Sequence, residues 1–155
     1  MKWLIRIGTH LVALGIGFAL GIYLLPILIA PESPAMEEVR TIAESSNFTA
    51  EFRRDLEDSD ALHWGEGKVY VSADSIALEG RLAPGPDYRL YLSPEFVETE
   101  AAFMALKSQM VEVGPVRTFE NFKVPVPGSI NSSEFNAAIV WCESFSQFIT
   151  AAKYQ

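Results

Sequence analysis

The sequence predicts an all-β domain, a small antiparallel β-sandwich or barrel with short helices, behind one N-terminal transmembrane helix. Two observations lead to this fold class. Residues 11–30, LVALGIGFALGIYLLPILIA, run for 20 residues without a charged side chain. From about residue 63, short alternating or β-branched runs are separated by Gly, Pro, Asp and Ser turns, a pattern typical of sandwiches and barrels.

The apolar run is long enough to cross a membrane, because a helix of 20 residues rises about 30 Å, the thickness of a bilayer's hydrocarbon core. The alternative is a cleavable signal peptide, whose apolar region covers about 7 to 15 residues and ends in a small-x-small site. This run is longer, and the PESPA that follows is a poor cleavage site. We therefore predict an uncleaved signal anchor over residues 1–31.

Charges on the two sides of the anchor predict its orientation. Lys2 and Arg6 precede the apolar run, whereas Glu32, Glu37 and Glu38 follow it. The positive-inside rule then keeps the N-terminus in the cytoplasm and exports the rest. The prediction is a single-pass protein of the inner (cytoplasmic) membrane, with its C-terminal domain on the periplasmic or extracellular side.

The charge balance excludes two classes of partner. Without Lys2 and Arg6, the chain keeps 10 of its 12 basic side chains against 20 acidic ones. A surface of this sign repels nucleic acid and anionic lipid headgroups. The membrane is therefore a partner only through the anchor.

Residues 32–60 are dense in charge and irregular. Val39 and Ile42, and later Phe48, Phe52 and Leu56, recur at a spacing of three to four, which indicates one or two short helices. We predict a helical or flexible juxtamembrane stalk over 32–60 and the β-sandwich over 61–155.

The predicted sandwich contains five strand-like runs, a strong turn at GPD (85–87) and a short helix within ETEAAFMALKSQM (98–110). After the last strand, Phe145, Phe148 and Ile149 have helical spacing, which suggests a short terminal segment packed on the sheet. The strand-like runs are KVYVSA (68–73), IALEGRL (76–82), DYRLYLS (87–93), NFKVPVP (121–127) and NAAIVWC (136–142).

Most catalytic patterns are missing from the sequence. It contains no Gly-rich phosphate loop, no nucleophile elbow and no Cys-x-x-Cys pair, and its two histidines exclude a multi-histidine metal site. What remains is Cys142, the only cysteine, which rules out dithiol chemistry within one chain. From the residues alone, Cys142 is a buried core residue, a redox thiol or cofactor ligand, or half of an intermolecular disulfide.

The neighbours of Cys142 add three expectations. Strand neighbours point to opposite faces, so Trp141 faces away from Cys142 while Val140 shares its face. Glu143 raises the pKa of a nearby thiol unless a cation offsets its charge. His63 lies in a turn before the first firm strand, and it is either a hydrogen-bonded structural residue or a ligand.

Five motifs, in this order, resemble the DM-thirteen domain family over about residues 60–153. That family is a small all-β extracellular module associated with electron transfer. Its characteristic cysteine follows an apolar strand and a tryptophan, and Cys142 occupies that place. The resemblance implies a redox role for Cys142, either as a bare thiol or as the attachment point of a prosthetic group such as haem. The motifs are HWGEGKVYV, IALEG, GPDYRLYLS, FKVPVP and IVWCESFSQFITAA.

Three hypotheses follow. The first is a membrane-anchored redox module in which Cys142 reacts or ligates, with His63 as a second candidate ligand and a redox protein as partner. The second is a non-enzymatic binding module in which Cys142 is structural. The third is a homodimer linked through Cys142 and aided by Gly17 and Gly21, a small-xxx-small pair in the anchor.

Overall fold

A computed structural model describes residues 2–155 and contains eight strands in two four-stranded antiparallel sheets. The first sheet has the order β1-β2-β3-β6 and the second the order β5-β4-β7-β8. This architecture confirms the predicted β-sandwich. The strands are β1 (Phe48–Phe52), β2 (Gly65–Val71), β3 (Ser75–Leu82), β4 (Tyr88–Ser93), β5 (Val111–Val116), β6 (Glu120–Pro125), β7 (Ala137–Cys142) and β8 (Gln147–Lys153).

The main core lies between the two sheets and is built by alternate residues of each strand. Opposite residues of β4 and β7 pair as Leu90 with Val140 and as Leu92 with Ala138, and all four belong to the same buried cluster. Cys142 follows at the next alternate position and joins this cluster at its end. Because side chains on a strand alternate between faces, this register places the thiol on the core side of the sheet.

Helices cover the outer faces of both sheets. Helix α2 (Met36–Ser45) buries Val39 against Ala77 of the first sheet, and α3 (Glu100–Leu106) buries Phe103 against Trp141 of the second. Every residue of β7 is therefore buried. The short helix predicted within 98–110 is confirmed by α3 and the 3-10 turn Lys107–Gln109 that continues it.

Two helix-like spacings belong to strands instead. Phe48 and Phe52 each lie two residues from Ala50, a spacing that also fits one face of a strand. In the structure β1 pairs with β2, beginning with Phe48 opposite Val71. The helical expectation for this stretch is wrong, because tertiary pairing decides between two periods that a short run satisfies equally. Whether the domain divides from its stalk at residue 60 stays a prediction.

The C-terminal segment is the second case, because β8 contains a bulge. Val140 pairs with Thr150 but Trp141 pairs with Phe148, so Ile149 is the extra residue. Phe148 consequently packs in the outer cluster and Ile149 in the inter-sheet core. The extra residue shifts the alternation of faces along β8, so that Phe148 and Ala151, three residues apart, both pack in the outer cluster, which mimics helical spacing in the sequence.

Helix α1 (Lys2–Ile29) is the one helix in the described chain that is long and apolar enough to cross a membrane. None of its residues is buried in the protein. Residues 30–35 connect it to α2, and six residues span at most about 20 Å. The β-sandwich is thus held close to the end of this helix.

Candidate functional site

Cys142 ends strand β7 and lies between Tyr88 of β4 and Gln147 of β8 in the register of the sheet. Its side chain is buried, with 3% of the residue exposed. The thiol donates a hydrogen bond to the carbonyl oxygen of Pro86, with Sγ 3.1 Å from that oxygen. In the resting protein the sulfur is therefore a protonated donor at one end of the core.

Several groups act on the ionisation of this thiol. Burial is the largest influence and raises the pKa of Cys142, and the negative charges of Asp87 and Glu143 raise it further. The backbone N–H groups of Phe145 and Ser144 lie near the sulfur and work in the opposite direction, because N–H dipoles favour the thiolate. The expected effect of Glu143 is thus present, but it is smaller than that of burial.

Asp87 joins the two loops that surround the thiol. Its backbone is left-handed, with φ 52°, as the GPD turn chemistry allows. Its carbonyl oxygen accepts the N–H of Glu143 at 3.1 Å, and its Oδ2 accepts the hydroxyl of Ser144 at 3.2 Å. Its Oδ1 accepts two hydrogen bonds from Arg89. The loop that carries Pro86 and the turn that follows Cys142 are consequently held together.

We expect Asp87→Ala to destabilise the domain by about 1–2 kcal/mol, because it removes the side-chain hydrogen bonds to Ser144 and Arg89 and places Ala at a positive φ. Asp87→Asn is the matched control, since Asn tolerates this backbone and keeps an acceptor. Both variants remove the negative charge and should lower the pKa of the Cys142 thiol. Denaturant unfolding and the pH dependence of thiol alkylation measure the two effects. Equal stability of the variants would contradict the proposed bridging role.

His63 is oriented by Asp60. The Oδ1 atom of Asp60 accepts the backbone N–H groups of Leu62 and His63, both at 2.7 Å, and its Oδ2 lies 3.0 Å from Nδ1 of the His63 ring. Burial opposes ionisation of Asp60, but these hydrogen bonds outweigh it and lower the pKa of Asp60. Since Nδ1 is engaged, Nε2 is the ring nitrogen left for other chemistry.

Cys142 and His63 line one cavity of about 460 Å³. Tyr88 and Gln147 also line it, and the rest of the lining is mainly apolar. The sequence indicated Cys142 and His63 but missed Tyr88 and Gln147. Their only signal is their pairing with Cys142 in the sheet, which requires the register. The apolar lining consists of Leu62, Pro84, Gly85, Pro86, Phe145 and Ile149 of the domain, and of Ala19, Ile22 and Tyr23 of α1.

The opposite face of β7 carries a second polar group within an aromatic cluster. The Trp141 ring stacks on Phe103 with centroids 3.9 Å apart, which confirms that Trp141 faces away from Cys142. Lys107 Nζ lies 2.8 Å from both carboxylate oxygens of Glu143, and the Tyr91 hydroxyl also donates to Glu143. Burial opposes ionisation of Glu143, but these bonds outweigh it and lower its pKa. Lys107 is the cation that offsets the charge beside the thiol.

The donor set allows a test of metal and haem binding. Within residues 2–155, no group of three or more His, Cys, Asp and Glu side chains is placed to hold a metal ion. Thiolate and imidazole are both axial ligands of haem iron, and Cys142 and His63 share the cavity. However, no Lys or Arg of the described chain lines this cavity, so the carboxylates of a haem would lack a cationic partner there. The residues present do not fit haem, and we derive no step through it.

Comparison with known proteins agrees with the motif order. The family model described as Electron transfer DM13 matches residues 51–154, which include both sheets from the end of β1 and all the residues of the site outside α1. No curated protein and no solved structure matches the chain. The match covers two thirds of the sequence and confirms the resemblance seen in its motifs. The chain belongs to the Electron transfer DM13 family.

Proposed function

We propose that the protein is a membrane-anchored electron-transfer module whose reactive group is the Cys142 thiol. Helix α1 serves as an uncleaved signal anchor, and the β-sandwich lies on the periplasmic side of the inner membrane. Its partner is a redox protein that restores the thiol. Family membership and an apolar N-terminal helix support the general role.

The observation that carries the proposal is the place of the thiol. Cys142 lies at the end of the inter-sheet core, yet it also lines a cavity together with His63. A purely structural cysteine needs neither a cavity nor a histidine held by a carboxylate. The N–H groups of Ser144 and Phe145 lower the pKa of Cys142, which favours a negative charge on the sulfur.

The proposed chemistry has two balanced steps. His63 is the candidate base for the thiol proton, and the thiolate sulfur then attacks one oxygen of a peroxide. The O–O bond breaks, the leaving oxygen takes up a proton, and Cys142 becomes a sulfenic acid oxidised by two electrons. A partner protein with two thiols reduces it through a mixed disulfide, which yields water, the Cys142 thiol and a disulfide in the partner.

A second candidate function is a binding module in which Cys142 is only structural. Two facts favour it: 3% of the residue is exposed, and its S–H is already donated to Pro86. The same burial disfavours an intermolecular disulfide, because a second chain cannot reach the sulfur without opening the loops. A homodimer would then depend on other contacts.

We expect Cys142 in the native full-length protein in lipid nanodiscs to react with a small alkylating agent and with hydrogen peroxide. Because burial raises the thiol pKa, the rate should still be rising at pH 9. Mass spectrometry after dimedone trapping should show one sulfenic acid, absent from Cys142→Ser. His63→Gln should slow peroxide oxidation at neutral pH without a comparable loss of stability.

The control separates reaction in the cavity from reaction through unfolding. If alkylation requires global unfolding, its rate rises with denaturant as the free energy of unfolding falls. If the reagent reaches Cys142 through the cavity, the alkylation rate does not change at low denaturant concentrations. If Cys142 reacts only by global opening and Cys142→Ala changes stability alone, the redox function is wrong and the binding module stands.

A further inference from the structure

We propose that residues 144–146, the tip of the turn between β7 and β8, form a gate that opens to admit the thiol of a partner protein to Cys142. This gate rests on the proposed function, because it supplies the movement that a mixed disulfide with the partner requires. Three features support it: the turn tip covers the sulfur, the loop that faces it is stiff, and the tip itself is weakly held and strained.

The sulfur of Cys142 lies between the turn tip and the loop before β4. The backbone N–H groups of Ser144 and Phe145 lie near the sulfur on one side. On the other side, the carbonyl oxygen of Pro86 accepts the S–H at 3.1 Å. A partner thiolate forms a mixed disulfide only by contact with the Cys142 sulfur, so one of these two segments has to move.

The loop before β4 is the stiffer of the two segments. Pro84 and Pro86 each fix one backbone dihedral, which leaves this loop few other conformations. Gly85 between them lies against the ring of Tyr88, so closely that a Cβ at this position would clash with the ring. Tyr88 is buried in the inter-sheet core, so the loop is fixed to the core. The turn tip is therefore the segment that moves.

The turn is held firmly where it begins and weakly at its tip. The N–H of Glu143 donates to the carbonyl oxygen of Asp87 at 3.1 Å. The Glu143 carboxylate also accepts hydrogen bonds from Lys107 and Tyr91. Within residues 2–155, one hydrogen bond joins a side chain of the turn tip to another part of the domain: the exposed Ser144 hydroxyl donates to Oδ2 of Asp87 at 3.2 Å. This bond is the latch of the gate.

The turn tip is exposed and strained, and both properties favour its opening. All three of its residues are exposed, and Phe145 is 50% exposed in the closed turn. Opening therefore gives up little buried apolar surface, as in other segments that open locally. Ser146 has a left-handed backbone with φ 51°, which is unfavourable for a serine and is relieved when the turn opens. The next residue, Gln147, pairs with Cys142 in the sheet, so the hinge lies at Ser146.

The test compares two pyridyl disulfides on the full-length protein in nanodiscs of zwitterionic lipid. One carries a methyl group, and the other carries a small folded carrier protein attached through its single surface cysteine. In both reactions the Cys142 thiolate attacks the disulfide, the S–S bond breaks, and pyridinethione leaves and is measured by its absorbance. Both rates depend equally on the pKa of the thiol, so their ratio, carrier over methyl, reports the gate alone.

Two variants of the turn tip should change this ratio in opposite directions. Ser144→Ala removes the latch and should raise the ratio about 2- to 5-fold, the effect of one exposed hydrogen bond. Ser146→Asn should lower it by a similar factor, because Asn tolerates the left-handed backbone and the closed turn loses its strain. Ser133→Ala is the matched control. It removes an exposed hydroxyl that bonds to Asn131 before the other end of β7, and it should leave the ratio unchanged.

The gate requires both shifts. An unchanged ratio in Ser144→Ala or in Ser146→Asn, or an equal change in Ser133→Ala, would overturn it. If Cys142 still reacts with peroxide and with the methyl reagent in that case, the gate alone is wrong and the redox function stands. If neither disulfide reacts before global unfolding, the redox function is wrong and the gate is refuted with it.

Discussion

Trp141→Ala should lower the free energy of unfolding by about 3–5 kcal/mol, the range for removal of a large aromatic side chain from a core. Trp141 is completely buried and stacks on Phe103 of α3, with the ring planes 9° apart. Its removal leaves a cavity between the second sheet and the helix that covers it. Chemical denaturation followed by circular dichroism measures the loss.

Two control variants make this prediction specific. Trp141→Phe keeps a ring against Phe103 and removes an indole N–H that is buried without a partner, so the loss should stay below about 2 kcal/mol. Met104→Ala alters an exposed residue of the same helix and should change stability by less than about 0.5 kcal/mol. A loss below about 1 kcal/mol for Trp141→Ala would show that α3 does not cover this face.

Lys107→Met should lower stability by about 1–2 kcal/mol at pH 7, because it leaves the carboxylate of Glu143 without its cation. The loss is modest because the Lys107 and Glu143 side chains are 33% and 29% exposed, so water screens their attraction. The remaining Tyr91 hydrogen bond supports the carboxylate in part. Glu143→Gln and the double variant complete a cycle that isolates the interaction between the two side chains.

Loss of either member of the Lys107–Glu143 pair should shift the pKa of the Cys142 thiol in opposite directions, and the pair also affects stability at acid pH. Lys107→Met leaves the charge of Glu143 uncompensated and should raise the pKa of Cys142, whereas Glu143→Gln should lower it. The pKa of Glu143 is lowered on folding, so its contribution to stability is present above its ordinary value of 4.5 and is lost as the pH falls. Glu143→Gln should therefore show less acid destabilisation. Thiol shifts of the same sign in both variants would contradict this arrangement.

The sequence predicted those parts of the fold that depend on local pattern. Two such patterns are the uncharged run before Pro31 and the alternating runs from residue 68 to Cys142. Each can be recognised within a few residues, because local propensity and hydrophobic period determine it. The opposite faces of Trp141 and Val140 follow from the same strand geometry, and the structure confirms them. The family motifs predicted membership of the Electron transfer DM13 family, which composition alone does not indicate.

The parts that failed are those in which two periods compete. Phe48 and Phe52 fit a helix and a strand equally well, and only the partner strand β2 decides between them. Phe148 and Ile149 look helical because a bulge shifts the alternation of faces along β8 by one residue. Neither the pairing partner nor the bulge has a local signature, since both depend on residues far away in the chain.

The sequence by itself determined the apolar N-terminal helix, the sandwich class and the identity of Cys142 and His63 as the residues to examine. Only the tertiary structure placed both in one cavity and added Tyr88 and Gln147 to its wall. It also supplied the cation for Glu143 from a residue 36 positions away. Contacts between strands depend on strand register and loop closure, and these result from many weak interactions across the whole domain. Hydrophobic periodicity, in contrast, is set by residues that are neighbours along the chain.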